Sequence, residues 1–191
     1  MNETYWTERY QNSNTPWDMK SVSPPLSGFL QGLYHTGQSI LIPGAGSGYE
    51  AEWLWKQGFK NTWVADISDK PLRSLKERCP DFPDQQMLHI DFFEIRQSFD
   101  LVVEQTFFCA LPPEWRPRYV AKMAEIIRPG GHLFGLLFNF PLTSEGPPYG
   151  GSVKEYLELF EPHFSIYKME RCYNSIKPRA GKEIFIHLIK P

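Results

Sequence analysis

From Ser39 onward, short apolar runs alternate with stretches whose apolar residues recur at spacings of three and four. Such alternation builds a mostly parallel sheet covered by helices, so the fold class is α/β. Residues 39–43 are predicted as a buried strand, and Ala51, Leu54 and Trp55 as one face of a helix that stops at Gly58. Residues 61–65 form the second strand. Ser68 stands where it can cap a helix carrying Leu72, Leu75 and Cys79, and Pro80 ends that helix. Residues 87–90 and 99–104 are the third and fourth strands. Val120, Met123 and Ile127 define a further helix face, closed by Pro129, Gly130 and Gly131, before a fifth strand at 132–138. Ser152 and Glu155 make a capping box in front of Val153, Tyr156, Leu157 and Phe160. Residues 164–169 and 183–189 follow as strands with no helix between them, which predicts an antiparallel pair at the sheet's end.

Residues 1–38 break the alternation and set Tyr5, Trp6, Tyr10 and Trp17 among polar residues and prolines. Rings of that size need cover, either as a packing arm on the sheet or as a cap over a site. With 191 residues the chain has the length of one domain, 1–191, with an aromatic segment at 1–38 and the core at 39–191. The formal charge is -2, with lysines and arginines dispersed, which argues against nucleic acid or a membrane surface as partner. Cys79, Cys109 and Cys172 are widely spaced and odd in number, as expected of reduced thiols in a cytosol, and no metal-binding cluster is suggested. No apolar run reaches bilayer-spanning length, and the N-terminus lacks the pattern of a secretory leader, so a cytoplasmic protein is expected.

The chemistry concentrates in Ile40-Leu41-Ile42-Pro43-Gly44-Ala45-Gly46-Ser47-Gly48, a strand running into a helix through three glycines. Such a turn lets backbone N–H groups and a helix N-terminus approach a ligand closely. A dinucleotide fingerprint wants a small residue where Tyr49 stands, and the phosphate-binding lysine of a P-loop is missing. Gly44-x-Gly46-x-Gly48 suits instead the methionine part of S-adenosylmethionine. Asp66 ends the second strand, where a carboxylate can accept from both ribose hydroxyls; the alternative is a solvated acid ahead of the Ser68 cap. Asp91 and Phe92 follow the third strand, where an acid can meet an adenine amino group and a ring its face; an ordinary loop acid is the alternative.

Together these residues resemble the Class I methyltransferase fold, and more narrowly the thiopurine methyltransferase family with its thiol and halide methyltransferase relatives. The resemblance spans nearly the whole chain. It rests on Trp6-x-x-x-Tyr10, Thr15-Pro16-Trp17-Asp18, the glycine turn, Thr106-Phe107-Phe108-Cys109-Ala110 and Gly146-Pro147-Pro148-Tyr149. It implies a three-layer sandwich around a seven-stranded, mostly parallel Rossmann-like sheet with an antiparallel last strand, and an aromatic cap, 1–38, folding over the cofactor so that Tyr10 and Trp17 close the site. It also implies a cofactor site, for S-adenosylmethionine and its product S-adenosylhomocysteine, formed by Trp6, Tyr10, Trp17, Pro43, Gly44, Gly46, Gly48, Asp66, Ile67, Asp91, Phe92, Glu104 and Thr106. The chain has Pro43 where many methyltransferases carry an acid, and Gln105 where thiopurine-type enzymes place an arginine. Pro43 is shared with the halide and thiol branch, Gln105 makes a bulky heteroaromatic thiol less expected, and the string at 106–110 with Tyr149 resembles the enzymes that methylate halide, bisulfide or small thiols.

Methyl transfer to such nucleophiles needs positioning more than proton transfer, so no indispensable acid or base is expected. Tyr149, Arg116, Trp17, Phe107 and Phe108 are the candidates for orienting the acceptor. Arg116 and Arg118 read more as solvated residues at a helix start than as substrate ligands, and Cys109 more as a buried apolar thiol than as a nucleophile. Pro147-Pro148-Tyr149 resembles a motif of amino-group methyltransferases, but it follows the fifth strand rather than the fourth, which disfavours N-methylation. Two other readings share the sheet: an NAD(P)-binding oxidoreductase, and a methyltransferase-like binding protein without turnover. A small-molecule acceptor and a monomer are expected, because the helix faces leave no spare apolar stripe.

Overall fold

A computed structural model describes residues 2–33 and 35–191; Met1 and Tyr34, both within the expected 1–38 cap, lie outside the described residues. The chain divides into two compact units, Met1–Ile95 and Arg96–Pro191. Each of the seven strands expected from the sequence is present.

The first unit opens with two helices that hydrophobic periodicity does not announce. In α1 (Glu3–Gln11), Asn2 Oδ1 accepts from the Tyr5 N–H at 3.1 Å, with Glu3 in the first turn and Arg9 in the last, both favourable to the helix dipole. Helix α2 (Pro24–Leu30) starts on proline, which needs no N–H partner there, and buries Leu26 and Leu30. Then come β1 (Ile40–Pro43), α3 (Tyr49–Lys56), β2 (Thr62–Asp66), α4 (Asp69–Arg78) and β3 (Met87–His89). The strands run parallel in the order β3-β2-β1. Helices α3 and α4 pack on β2, and Leu54, Val64, Leu72, Leu75 and Phe82 form the buried interior. Ser68 has the extended backbone of an N-cap, but its side chain does not cap α4. Its hydroxyl instead meets Thr7 Oγ1 at 2.8 Å, tying the N-terminal arm to the unit.

The second unit contains β4 (Phe99–Gln105), α5 (Arg116–Ile126), β5 (Ile127–Phe138), α6 (Val153–Phe160), β6 (Ser165–Arg171) and β7 (Glu183–Ile189). Strand order is β4-β5-β7-β6: β4 and β5 are parallel, and β7 runs antiparallel to both β5 and β6, the expected reversed last strand. Here the sequence reading of α5 needs correction. The helix ends at Ile126, and Ile127 already belongs to β5, opposite Phe99. The segment Pro129-Gly130-Gly131 is held inside the sheet, with Gly130 N donating to Lys190 O and Lys190 N to Gly131 O, at 2.8 and 2.9 Å. Local turn chemistry pointed to a helix stop, and strand pairing overrode it.

The capping box at α6 is half made. Ser152 Oγ accepts from Glu155 N at 3.3 Å, while the Glu155 carboxylate turns away to Arg116. Strand β6 ends the order with β7 as its neighbour, and Lys168, Glu170 and Arg171 give it a charged border. No helix among the described residues is long and apolar enough to cross a membrane.

Candidate active site

In the first unit the glycine turn leaves β1 and enters α3. Gly44, Gly46 and Gly48 have φ of 56, 52 and 72°, the left-handed region that residues with a Cβ avoid. The turn is fastened to β2 by its main chain, Ala45 N donating to Ala65 O at 3.0 Å. Gly46 N donates to Asp66 Oδ2 at 3.1 Å, and Ser68 N to Asp66 Oδ1 at 2.8 Å. The carboxylate is therefore placed against the turn, not in solvent. Burial pushes its pKa up to about 6, against the backbone donors, which lower it. A carboxylate offers roughly four acceptor positions, so those two N–H groups leave capacity for hydroxyl donors.

The N-terminal arm crosses this turn. Asp18 Oδ2 accepts from Ser47 Oγ at 2.7 Å. A Cβ on Gly46 would stand 3.3 Å from Tyr10 Oη and 4.0 Å from Trp17 Nε1. Trp17 meets Trp6 and Tyr10 edge to face, with ring centroids 5.5 and 5.8 Å apart. Burial, and then the Asp66 charge, push the Tyr10 hydroxyl far above its usual range, so it stays a neutral donor. His89 Nε2 bridges Glu3 Oε1 and the carbonyl of Ile67, at 3.1 and 3.0 Å.

Trp6, Tyr10, Trp17, Pro43, the three glycines, Asp66 and Ile67 thus come from separate stretches of one unit to a shared neighbourhood. Asp91 is exposed and caps the turn after β3 by accepting from Phe93 N at 2.9 Å. The same turn takes Phe92 into the core, 5 % exposed and edge-on to Phe93. Asp91 is left as the outward member of that pair. Asp18 and Ser47 escaped the sequence reading, although an acid inside Thr15-Pro16-Trp17-Asp18 and a hydroxyl between two glycines were the available signals.

In the second unit, β4 ends in Glu104-Gln105-Thr106. Glu104, expected at the cofactor, is wholly buried and engaged from within: it accepts from Tyr119 Oη at 2.6 Å, Phe107 N at 2.8 Å and Phe108 N at 2.9 Å. Thr106 has φ 57°, an outlier for a β-branched residue. The Gln105 amide is buried at both polar atoms without a hydrogen-bond partner. Phe107 is half-buried, whereas Phe108 is a core ring against Tyr119, Tyr156 and Phe160. Cys109 is buried too, with its thiol pushed far up by burial first and the Glu104 charge second.

Arg116 corrects the expectation of a solvated helix-start residue. It is 1 % exposed, paired with Glu155, donating to Gly150 O at 2.7 Å, and stacked 4.8 Å from the centre of the Phe108 ring. It thereby clamps the loop carrying Tyr149, whose own N–H donates to Cys109 O at 2.8 Å. Arg118 is exposed, as expected. Tyr119 was missed; its place on the buried face of α5, three residues after Arg116, was the signal.

Comparison with known proteins adds ancestry to this geometry. The family model described as thiopurine S-methyltransferase matches residues 1–187. A probable thiol methyltransferase 2 of Arabidopsis thaliana is 30 % identical over 185 residues, covering 93 % of this chain and 81 % of the relative. A thiocyanate methyltransferase 1 of Brassica oleracea is 28 % identical, with the same coverage of 93 and 81 %. Among solved structures, a Burkholderia thailandensis 1,6-didemethyltoxoflavin-N1-methyltransferase holding S-adenosylhomocysteine superposes with a TM-score of 0.76 at 18 % identity, covering 98 % of this chain and 86 % of that one. That likeness shows the fold, a Rossmann-like methyltransferase sheet, and the family match sets aside the nicotinamide oxidoreductase reading. With its glycine turn, its Asp66 and a family model matched over residues 1–187, the chain belongs to the thiopurine S-methyltransferase family of S-adenosylmethionine-dependent methyltransferases.

Proposed function

We propose that this chain methylates a small soft nucleophile, a thiol, bisulfide or halide, with thiopurine-type S-methylation at the outer edge of its range. One observation carries the cofactor side: the Gly46 N–H and the Asp66 carboxylate meet inside a turn of three left-handed glycines. Only small residues allow that main chain to face a ligand, and the acid lies where ribose hydroxyls need an acceptor. When bound, S-adenosylmethionine supplies a methyl group on a cationic sulfur, and that charge is lost on in-line transfer. Asp66 holds the ribose, Asp91 takes the adenine amino group, and Trp6, Tyr10 and Trp17 close over the turn and keep water out. Phe107 and Tyr149 are the half-buried side chains left to orient the acceptor.

Magnitudes favour positioning over proton transfer. A thiol of pKa near 8.5 costs roughly 2 kcal/mol to ionise at neutral pH, whereas alignment of the reacting atoms contributes about 7 to 11 kcal/mol. A well-placed ring beside the cation adds about 0.5 to 2 kcal/mol. No general base is therefore needed. The names of the relatives, thiol and thiocyanate methyltransferases, support a small sulfur acceptor. A reducing, cytoplasmic setting is supported by three free, buried thiols, a monomer by the charged border of β6, and one functional domain, 1–191, by a single family model matched over residues 1–187.

The test is transfer of labelled methyl from S-adenosylmethionine to sulfide, small thiols, iodide and a thiopurine. Turnover is expected with the first three and weakly or not at all with the thiopurine. Cofactor binding without transfer to any of them would identify a binding protein instead.

A further inference from the structure

The end of β4 brings together three features: a fully buried carboxylate, a strained residue and a turn bearing aromatic side chains. Glu104 is 0 % exposed and collects three donors, two of them the consecutive N–H groups of Phe107 and Phe108. Between acid and donors lies Thr106 at φ 57°. A β-branched residue in that region costs about 1 to 3 kcal/mol and persists where surrounding bonds over-determine it. The Glu104 bonds are those bonds, and Tyr119 Oη braces the carboxylate from α5. On the other side β5 brings Gly135 so close that a Cβ there would lie 2.5 Å from Glu104 Cβ, so only glycine fits beside this end of β4.

We propose that Glu104, braced by Tyr119, is the positioning residue that holds residues 106–108 in their working shape, and that protonating it slackens this turn and slows methyl transfer. A neutral acid carries its proton on Oε2, the oxygen to which Tyr119 Oη donates, and its carbonyl Oε1 becomes a weaker acceptor for the Phe107 and Phe108 N–H groups than a carboxylate oxygen is. Burial pushes the Glu104 carboxyl up to about 7, overcoming the pull of Tyr119, Phe108 and Phe107 in the other direction. The switch therefore falls near neutrality. Within this unit the titrating neighbours are Tyr119 from α5 and Cys109 from the turn itself; burial and the Glu104 charge hold both protonated. Arg116 and Arg179 act on Cys109, and β5 presents the main chain of Gly135.

For its turnover arm the proposal rests on the methyl-transfer reading above, so the test has a second readout that does not. The amide signals of Phe107 and Phe108 are followed by NMR from pH 5.5 to 8.5, alongside turnover of iodide, which does not titrate, at saturating S-adenosylmethionine. In the parent protein both amides are expected to shift with a midpoint near 7, and turnover to fall roughly tenfold for each pH unit below it. Glu104→Gln is expected to lose the amide transition, to flatten the profile, and to turn over at least about tenfold more slowly at pH 8. Tyr119→Phe removes a donor that favours the charged acid, so its acidic limb should move to higher pH, which a purely structural role would not produce. Flat amide signals in the parent, or an acidic limb preserved in Glu104→Gln, would overturn the proposal. An amide transition with no matching limb in turnover would overturn the link to catalysis. Amides that titrate in a parent protein inert toward every acceptor would leave the clamp standing and remove the methyl-transfer reading instead.

Discussion

Gly46 shows how much one missing side chain can decide. Its φ of 52° costs an L-residue about 1 to 2 kcal/mol, and a Cβ would press on Tyr10 Oη at 3.3 Å. Gly46→Ala is expected to fold with a melting point lower by a few degrees, at about 2 to 4 degrees per kcal/mol, and to lose its thermal shift with S-adenosylmethionine. Calorimetric titration checks this: unchanged affinity would mean the turn is not the cradle. A second residue-scale expectation concerns His187, which contacts His132 at 2.9 Å across β5 and β7. Burial, then the His132 and Lys168 charges, hold its pKa down at about 4. A depressed histidine contributes stability above its unfolded value near 6.5 that is lost as pH falls toward 4. Melting points measured from pH 7 to 4.5 should thus drop more steeply for the parent than for His187→Gln.

At the scale of elements, the strands and most helices were legible because their apolar spacing is local information. Two kinds of feature were not. Helices α1 and α2 show weak periodicity and are recognisable mainly at their ends, through Asn2 with Glu3 and through Ser23 with Pro24. The other kind depends on long-range partners: Ser68 pairs with Thr7 rather than its own helix, and Glu155 with Arg116 rather than Ser152. No window of sequence contains both members of such pairs. The same reason explains why Arg116, expected in solvent, is a buried clamp between α5, α6 and the loop of Tyr149. Removing one partner of a fully buried pair costs about 3 to 5 kcal/mol. Glu155 keeps 32 % of its side chain exposed, so Arg116→Ala should cost somewhat less, about 2 to 4 kcal/mol. Urea unfolding measures this, and a loss under about 1 kcal/mol would show the pair to be ornamental.

For the whole molecule, the candidate residues of the first unit were the more readable. Its glycines and Asp66 are bound to a strand-turn-helix pattern, whereas the roles of Glu104, Phe108 and Arg116 in the second unit depend on which way buried side chains turn. Ligand linkage offers a global check: S-adenosylmethionine at a hundredfold excess over its dissociation constant should add about 2.7 kcal/mol, or roughly 5 to 10 degrees. A shift with NAD in its place would contradict the family assignment. Strand β6 has a consequence of a different kind. A sheet's last strand offers unpaired amides and carbonyls to any passing chain, and here Lys168, Glu170 and Arg171 stand guard along it while Tyr167 lies 67 % bare. Replacing Lys168 and Glu170 by valine should leave the fold intact yet make concentrated solutions cloud and bind amyloid dyes, because what now discourages copies from stitching edge to edge is the water that this half-exposed ion pair holds.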